Sequence, residues 1–135
     1  SYYLDILFKQ CQQHSVGGLL ASPVRDTMKR ARANSSLTKD KNQPNRVQTT
    51  VERNNLWHAL TPQMYPVKQL LNAIEKARAD KVDITDESSA IEHAGFSSML
   101  VEGSNENIKI TRPDDLALAE FILSKQAKKR KNACE

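Results

Sequence analysis

Glycine and aromatic residues are both scarce in this chain of 135 residues. Its four glycines form neither a Walker A sequence nor a Gly-x-Gly-x-x-Gly sequence, which excludes a glycine loop of these nucleotide-binding types from the chain. No apolar run approaches the roughly 20 residues of a membrane-spanning helix. The first residues also lack the basic and apolar regions of a signal peptide. We therefore expect no membrane partner.

Cysteine and histidine are sparse as well. Cys11 and Cys134 lie near opposite ends of the chain and have no metal-type spacing, so free thiols in a reducing cytoplasm are predicted. His14, His58 and His93 show no ligand spacing either. The sequence thus predicts no metal site in this chain and no histidine-activated nucleophile.

The excess of positive over negative charge is confined to the end of the chain. The net charge is +4, and the tail supplies all of it through Lys125, Lys128, Lys129, Arg130 and Lys131 set against Glu135. A neutral body with a basic tail lacks the broad electropositive face that duplex binding requires, and an aromatic content of 5% leaves little for bases to stack on. The tail is better explained as a solvated helix end, and we expect no nucleic-acid partner.

Helical and strand-like periodicities alternate along the chain. Helices are predicted at residues 2–13, from Pro66, from Thr85 to Gly95 and from Thr111, and strands at residues 19–21, 98–101 and 107–110. Thr85 and Thr111 are predicted N-caps, with Asp114 completing an approximate capping box after Thr111. This alternation predicts an α/β fold with a mainly parallel sheet and flanking helices.

A polar segment interrupts this pattern. Residues 23–31 and 47–53 are predicted to pair as a long hairpin, with the polar residues 33–46 at its tip. Two strands alone are marginally stable in water, so this arm is expected to lie against another surface.

Candidate site residues are cations and hydroxyls at the ends of predicted strands and in the arm: Arg25, Thr27, Lys29, Arg53, Thr61, Thr85 and Lys109. Lys109 lies between two isoleucines near the carboxyl end of its predicted strand, which is the edge where ligands bind to open α/β sheets. Simple alternation would instead make it a solvent-facing lysine. Thr85 could cap a helix, contribute to an anion site, or do both.

Five segments closely resemble, in order, the methylerythritol phosphate cytidylyltransferase family. They are residues 23–30 (PVRDTMKR), 52–63 (ERNNLWHALTPQ), 84–90 (ITDESSA), 101–103 (VEG) and 107–116 (NIKITRPDDL). The resemblance implies a Rossmann-like α/β sheet with a protruding β-arm that embraces a second subunit. It also implies transfer of CMP from CTP to 2-C-methyl-D-erythritol 4-phosphate, with release of pyrophosphate, in the non-mevalonate isoprenoid pathway. The family's Mg²⁺ acts on the triphosphate, and we expect it to bind the full-length enzyme rather than this chain.

The resemblance also assigns roles to individual residues. Arg53 and Lys109 would position the attacking phosphate as catalytic residues, while Thr61 and Thr85 would bind the same substrate. Thr27, in the other arm strand, is a further substrate-binding candidate. Arg53 and Thr61, carried by the arm, would reach the site of the neighbouring subunit in a homodimer.

The resemblance further implies that residues 1–135 are the carboxy-terminal part of a single domain, with the β-arm at about residues 23–63. The family's glycine-rich nucleotide-binding half would precede residue 1, so we expect the chain to be inactive by itself. The arm tip at residues 33–46 is longer than the family pattern. An alternative is a non-catalytic dimerisation or binding module that keeps the same fold.

Overall fold

A computed structural model describes residues 2–32 and 46–132, with side chains described to residue 128. The arm tip therefore lies almost entirely outside the described residues. The elements are α1 (Tyr2–Gln13), β1 (Gly18–Pro23), β2 (Met28–Ala31), β3 (Val47–Val51), β4 (Trp57–Met64), α2 (Val67–Ala79), α3 (Glu87–His93), β5 (Met99–Glu102) and α4 (Pro113–Asn132). They divide into a larger unit, residues 1–22 and 59–135, and a hairpin unit, residues 23–58. No helix in the described ranges combines the length and apolar character needed to cross a bilayer.

A three-stranded sheet organises the larger unit, in the order β4-β1-β5. β1 pairs in parallel with β5, from Gly18 opposite Met99 to Ala21 opposite Glu102. Residues 18–22 are all buried, as expected for the central strand of a covered sheet. The predicted strands at 19–21 and 98–101, and the predicted α/β class, are confirmed.

Two glycines allow β1 to begin close to its neighbours. Gly17 has φ +95°, and a Cβ atom placed on it would lie 2.2 Å from the carbonyl oxygen of Met64. A Cβ on Gly18 would lie 2.4 Å from the carbonyl oxygen of Met99. Side chains at these positions would collide with backbone atoms, so glycine is required where the three strands converge.

The apolar core of the larger unit consists of two clusters. In the first, Leu7, Leu20 and Val101 join α1 to β1 and β5. The second joins α2 to α3 through the buried Ala73, Ala90 and Ile91. The small alanines let the two helix backbones approach closely. The large apolar residues of α2 are only partly buried, because Val67 and Leu71 are 83% and 53% exposed.

The starts of α3 and α4 correct the predicted caps. Asp86, rather than Thr85, is the N-cap of α3 and forms a reciprocal capping box with Ser89. Before α4, the side chain of Asp115, rather than that of Asp114, accepts bonds from the backbone N–H groups of Thr111 (2.8 Å) and Arg112 (2.8 Å). Both helices thus begin with an aspartate carboxylate satisfying backbone donors that the helix itself leaves unpaired.

The end of α3 was predicted correctly at Gly95. The helix closes with bonds from Gly95 N to Glu92 O (2.9 Å) and from Phe96 N to Ile91 O (3.1 Å), a Schellman motif. Gly95 has φ +93°, and nothing lies within 4 Å of the Cβ position that an alanine would occupy there.

Two further segments differ from prediction. Residues 107–110 form no strand or helix, so Lys109 is not the strand residue that alternation suggested. Conversely, β4 is a strand of eight residues even though it contains Pro62. Proline lacks a ladder donor and is confined mainly to edge strands, and β4 stands at one end of the strand order.

The hairpin unit confirms the predicted pairing of the flanking segments. β2 and β3 are antiparallel, with Met28 opposite Val51 and Lys29 opposite Thr50. The Lys29 ammonium donates to the Thr50 hydroxyl at 2.7 Å. Every residue of β2, and all of β3 except Val51, is exposed within this chain.

Candidate functional site

Thr61 and the segment that carries Lys109 are joined directly in the larger unit. Thr61 lies in β4 with an exposed side chain, and its backbone carbonyl accepts a hydrogen bond from the Asn107 amide at 2.5 Å. Asn107 stands two residues before Lys109, whose side chain is also exposed. These two predicted site residues therefore lie in the same region of the molecule.

Thr85 is joined to β4 through Gln63, two residues beyond Thr61. The Gln63 Nε2 donates to Asp86 Oδ2 at 2.9 Å, and its Oε1 accepts from the backbone N–H of Ser88 at 2.9 Å. Asp86 follows Thr85 directly. β4 thus contacts both segments that carry other predicted site residues, through Asn107 on one side and Gln63 on the other.

The backbone around Thr85 is fixed by the capping box. Thr85 N and Asp86 N both donate to Ser89 Oγ, at 3.0 and 3.2 Å, and Ser89 N donates to Asp86 Oδ1 at 2.9 Å. Partial burial opposes ionisation of Asp86, but hydrogen bonds from Gln63 and Ser89 outweigh it and lower the pKa of the carboxyl below its ordinary value. The Thr85 side chain remains exposed beside this anchored aspartate.

A second layer of hydroxyl groups supports the same helix start. The buried Ser88 places its Oγ 2.8 Å from Glu92 Oε1 and 3.1 Å from Ser98 Oγ. Tyr65, in turn, donates its hydroxyl to Ser98 Oγ at 2.9 Å. The start of α3 is therefore connected by polar contacts to Ser98, which follows α3, and through it to Tyr65, which precedes α2.

A cleft of about 270 Å³ lies next to the Thr61–Asn107 contact. It is lined by Tyr3, Leu4, Leu20, Pro62, Ser104, Glu106, Asn107 and Gln126. Glu106, one of the lining residues, forms an ion pair with Lys125. The cleft is a mixed polar and apolar surface within the larger unit.

The hairpin unit holds the remaining four candidates, and all of them are exposed: Arg25, Thr27, Lys29 and Arg53. Arg53 begins a turn closed by a bond from Leu56 N to Arg53 O at 3.0 Å, and Asn55 adopts φ 63° within that turn. The Arg53 guanidinium donates to the backbone carbonyl of Arg25. Both arginines line a groove of about 460 Å³ within this unit.

Metal-ligating side chains do not cluster in the described part of the chain. Among residues 2–32 and 46–132, no three His, Cys, Asp or Glu side chains are grouped so that they could hold a metal ion. Cys11 is a free thiol, and burial raises its pKa above the ordinary value despite an opposing backbone hydrogen bond at Gly18.

The family model for 2-C-methyl-D-erythritol 4-phosphate cytidylyltransferase (IspD) matches residues 2–125. The chain belongs to this cytidylyltransferase family. It is 55% identical over 126 residues to the protein of that name from Colwellia psychrerythraea, an alignment that covers 92% of this chain and 50% of the relative. A Vibrio vulnificus protein of the same name is 50% identical over 123 residues, covering 91% of this chain and 48% of the relative.

A solved cytidylyltransferase gives the same result for the fold. The crystal structure of the Francisella tularensis 2-C-methyl-D-erythritol 4-phosphate cytidylyltransferase superposes with a TM-score of 0.75 at 34% identity. The superposition covers 90% of this chain and 52% of that chain. The Rossmann-like α/β class is therefore confirmed, and the chain spans about half the length of the curated relatives it matches.

Two residues important to this arrangement were not singled out by sequence. Gln63 and Asn107 lie inside segments that resemble the cytidylyltransferase family, yet neither carries a charge or a hydroxyl that suggests chemistry. A usable signal existed for Gln63, because residues two apart on a strand share a face and Gln63 is two residues from Thr61. No comparable signal existed for Asn107, whose contact with Thr61 depends on the fold.

Proposed function

We propose that this chain supplies the sugar-phosphate side of a cytidylyltransferase that acts on CTP and 2-C-methyl-D-erythritol 4-phosphate. An oxygen of the substrate phosphate attacks the α-phosphorus of CTP and forms a new P–O bond. The bond between the α-phosphorus and the α,β-bridging oxygen breaks, and pyrophosphate leaves. Residues 1–135 would form the carboxy-terminal part of that single domain, acting in the cytoplasm in isoprenoid precursor synthesis.

The observation that carries this proposal is the joining of three segments in the larger unit. Asn107 ties the segment of Lys109 to Thr61, and Gln63 ties the segment of Thr85 to the same strand. Two hydroxyls and one ammonium are thus exposed on neighbouring segments. Lys109 and Thr85 suit the chain's own sugar-phosphate site, because the cation can pair with the phosphate while the hydroxyl bonds to an oxygen atom. Thr61 offers its hydroxyl to the partner's site.

The charges suit the reaction as well. An anionic phosphate must approach a second anionic phosphate, so the site has to supply positive charge where the two meet. In our proposal Lys109 provides a compact charge, and Arg53 provides a planar guanidinium able to hold a phosphate through two parallel bonds. Thr61, Thr85 and Thr27 are the proposed hydroxyl contacts.

The hairpin unit supports the proposed homodimer. A two-stranded hairpin with nearly every residue exposed is marginal in water and gains stability when laid on another surface. A second copy of the chain is the surface we propose, because a symmetric pair buries both arms at once. Arg53 and Thr61 would then serve the partner's site.

Mg²⁺ would be required for charge neutralisation on the triphosphate of CTP. The described residues of this chain do not fit such a role, since they offer no cluster of three ligating side chains. We assign the ion to the nucleotide-binding half of the family fold, and no step described here depends on it.

The proposal is tested by pyrophosphate release with CTP, methylerythritol phosphate and Mg²⁺, using the full-length protein. Lys109→Ala should lower kcat/KM by about a hundredfold or more, because it removes a charged hydrogen bond. Lys68→Ala, at an exposed lysine on α2, is the matched control and should remain close to wild type. The 135-residue chain alone should stay at background. Equal kcat/KM values for the two variants would refute the assignment of Lys109.

A further inference from the structure

The Gln63 side chain makes two bonds to the start of α3. Its amide donates through Nε2 to the Asp86 carboxylate and accepts through Oε1 from the Ser88 backbone N–H, both at 2.9 Å. A primary amide is an uncharged group with its donor nitrogen and acceptor oxygen on one carbon atom, and here both face one helical turn. Gln63 is half-buried, so these bonds are shielded from water on one side.

The start of α3 is capped without any contribution from Gln63. The reciprocal bonds between Asp86 and Ser89 complete the capping box within α3 itself. The bonds of Gln63 are additional, and they connect the box to β4. Their structural effect is therefore to fix the position of the helix start relative to the strand, rather than to begin the helix.

The location of Gln63 gives this connection a functional meaning. Thr61 and Gln63 are two residues apart on β4 and project to the same side of the strand. Thr85 immediately precedes the aspartate that Gln63 holds, and its backbone N–H is fixed by Ser89. The segment of Lys109 is bonded to the same strand, through Asn107 and the Thr61 carbonyl. Any shift between Gln63 and Asp86 would thus change the separation of Thr85 from Lys109.

We propose that Gln63 is a positioning residue for the sugar-phosphate substrate, holding Thr85 at the correct distance from Lys109 across β4. This inference rests on the function proposed above. Gln63 touches neither nucleotide nor phosphate; it acts through Asp86 on Thr85. Its loss should weaken the use of methylerythritol phosphate and leave the use of CTP unchanged.

The first experiment compares Gln63→Leu with Tyr65→Phe in the full-length protein. Leucine is similar in volume to glutamine, and Gln63→Leu removes both bonds. Tyr65→Phe is the control, because it removes the bond from Tyr65 to Ser98 in the same polar network, and that bond does not involve Asp86. We expect Gln63→Leu to raise the KM for methylerythritol phosphate about tenfold, since each lost bond is worth about a factor of ten or less. The KM for CTP should change less than about twofold, and Tyr65→Phe should change neither value by more than that.

The second experiment exchanges the two partners. Gln63→Glu alone places two carboxylates against each other and should be at least as harmful as Gln63→Leu. Gln63→Glu combined with Asp86→Asn restores one amide and one carboxylate at the same distance, with an acceptor still available to both Ser88 N and Ser89 N. We expect the double variant to return to within about threefold of the wild-type KM for methylerythritol phosphate.

The outcomes separate the inference from the function on which it rests. If the wild-type protein transfers no CMP, the proposed function fails. If the wild type is active but Gln63→Leu raises both KM values equally, or acts no more strongly than Tyr65→Phe, the positioning role is wrong. If Gln63→Leu does not fold, the exchange decides: a folded double variant without recovery of KM overturns the inference.

Discussion

At the scale of single residues, amide side chains rather than charges join the segments around β4. Gln63 and Asn107 each bridge β4 to a neighbouring segment. An amide can satisfy buried polar groups without adding charge, so these bridges neutralise no cation nearby. The bridge from Asn107 therefore introduces no carboxylate beside Lys109.

The Asp86 carboxylate makes stability dependent on pH. Its pKa is lowered from the ordinary 3.8 in the folded state, so it stabilises the fold above that value and loses this contribution as the pH falls through the lower, folded-state pKa. Urea unfolding measured between pH 7 and pH 3 should show stability decreasing with acid. Asp86→Asn should flatten the decrease more than Asp83→Asn, an exposed control three residues earlier. Equal slopes for the two variants would contradict this.

The identity of the α3 cap also shows what sequence could decide at this scale. Thr85 and Asp86 are adjacent and both types cap helices, so composition alone could not rank them. The choice is made by backbone conformation, because Asp86 is extended at φ −155° and its carboxylate reaches Ser89 N. Because the N-cap of α3 is one residue later than predicted, Thr85 lies outside the helix, where its side chain is exposed.

At the scale of elements, periodic segments were predictable and irregular ones were not. α1 carries apolar residues at helical intervals and β1 contains a short apolar run, and both were predicted from sequence. β4 was missed because Pro62 and several polar residues obscure its alternation. Residues 107–110 alternate like a strand, yet the Asn107 side chain bonds to the Thr61 carbonyl and no strand forms there. Local pattern cannot reveal such long-range pairing.

The start of β1 provides a test at the element scale. Gly17→Ala and Gly95→Ala both place a side chain at positive φ, which costs about 1–2 kcal/mol. Only at Gly17 does the new Cβ meet a backbone oxygen, that of Met64 at 2.2 Å, whereas the site at Gly95 is open. We expect Gly17→Ala to lower the free energy of unfolding by a further 1–3 kcal/mol or so, as overpacking does. Chemical denaturation checks this, and equal losses would show that β1 and Met64 can separate freely.

At the scale of the whole molecule, α4 has a largely exposed apolar surface. Among the large apolar side chains of α4 that the structure describes, Leu116, Phe121 and Leu123 are 55%, 64% and 64% exposed, and only Ile122 is buried. The sequence of a helix does not identify the surface that covers its apolar residues. Within the described residues that surface is absent, and the matched relatives are about twice as long.

The proposed exchange of arms between subunits predicts complementation in the full-length protein. If Arg53 serves the partner's site and Lys109 its own, mixing Arg53→Ala with Lys109→Ala should give hybrid dimers in which one site carries both defects and the other neither. Activity should then rise from near background to about a quarter of wild type, because about half of the randomly paired dimers are hybrids with one intact site of two.

The control is each variant mixed with itself, which should show no increase. Subunit exchange is verified separately with mass-tagged protein. Exchange without recovery of activity would mean that both residues serve the same site, and the proposed arrangement of the arm would be wrong.

The pairing of β1 with β5 also has a consequence for biosynthesis. Residues 18–21 meet residues 99–102, so roughly eighty residues are translated between the two strands. At about 5–20 residues per second, the apolar Leu19 and Leu20 remain without this partner strand for some 4–16 s on the ribosome. α2 and α3 adjoin in sequence and can pair within that interval. Synonymous codon changes that slow translation between β1 and β5 would prolong the exposure of β1, and thus lower the yield of folded protein without altering a single amino acid.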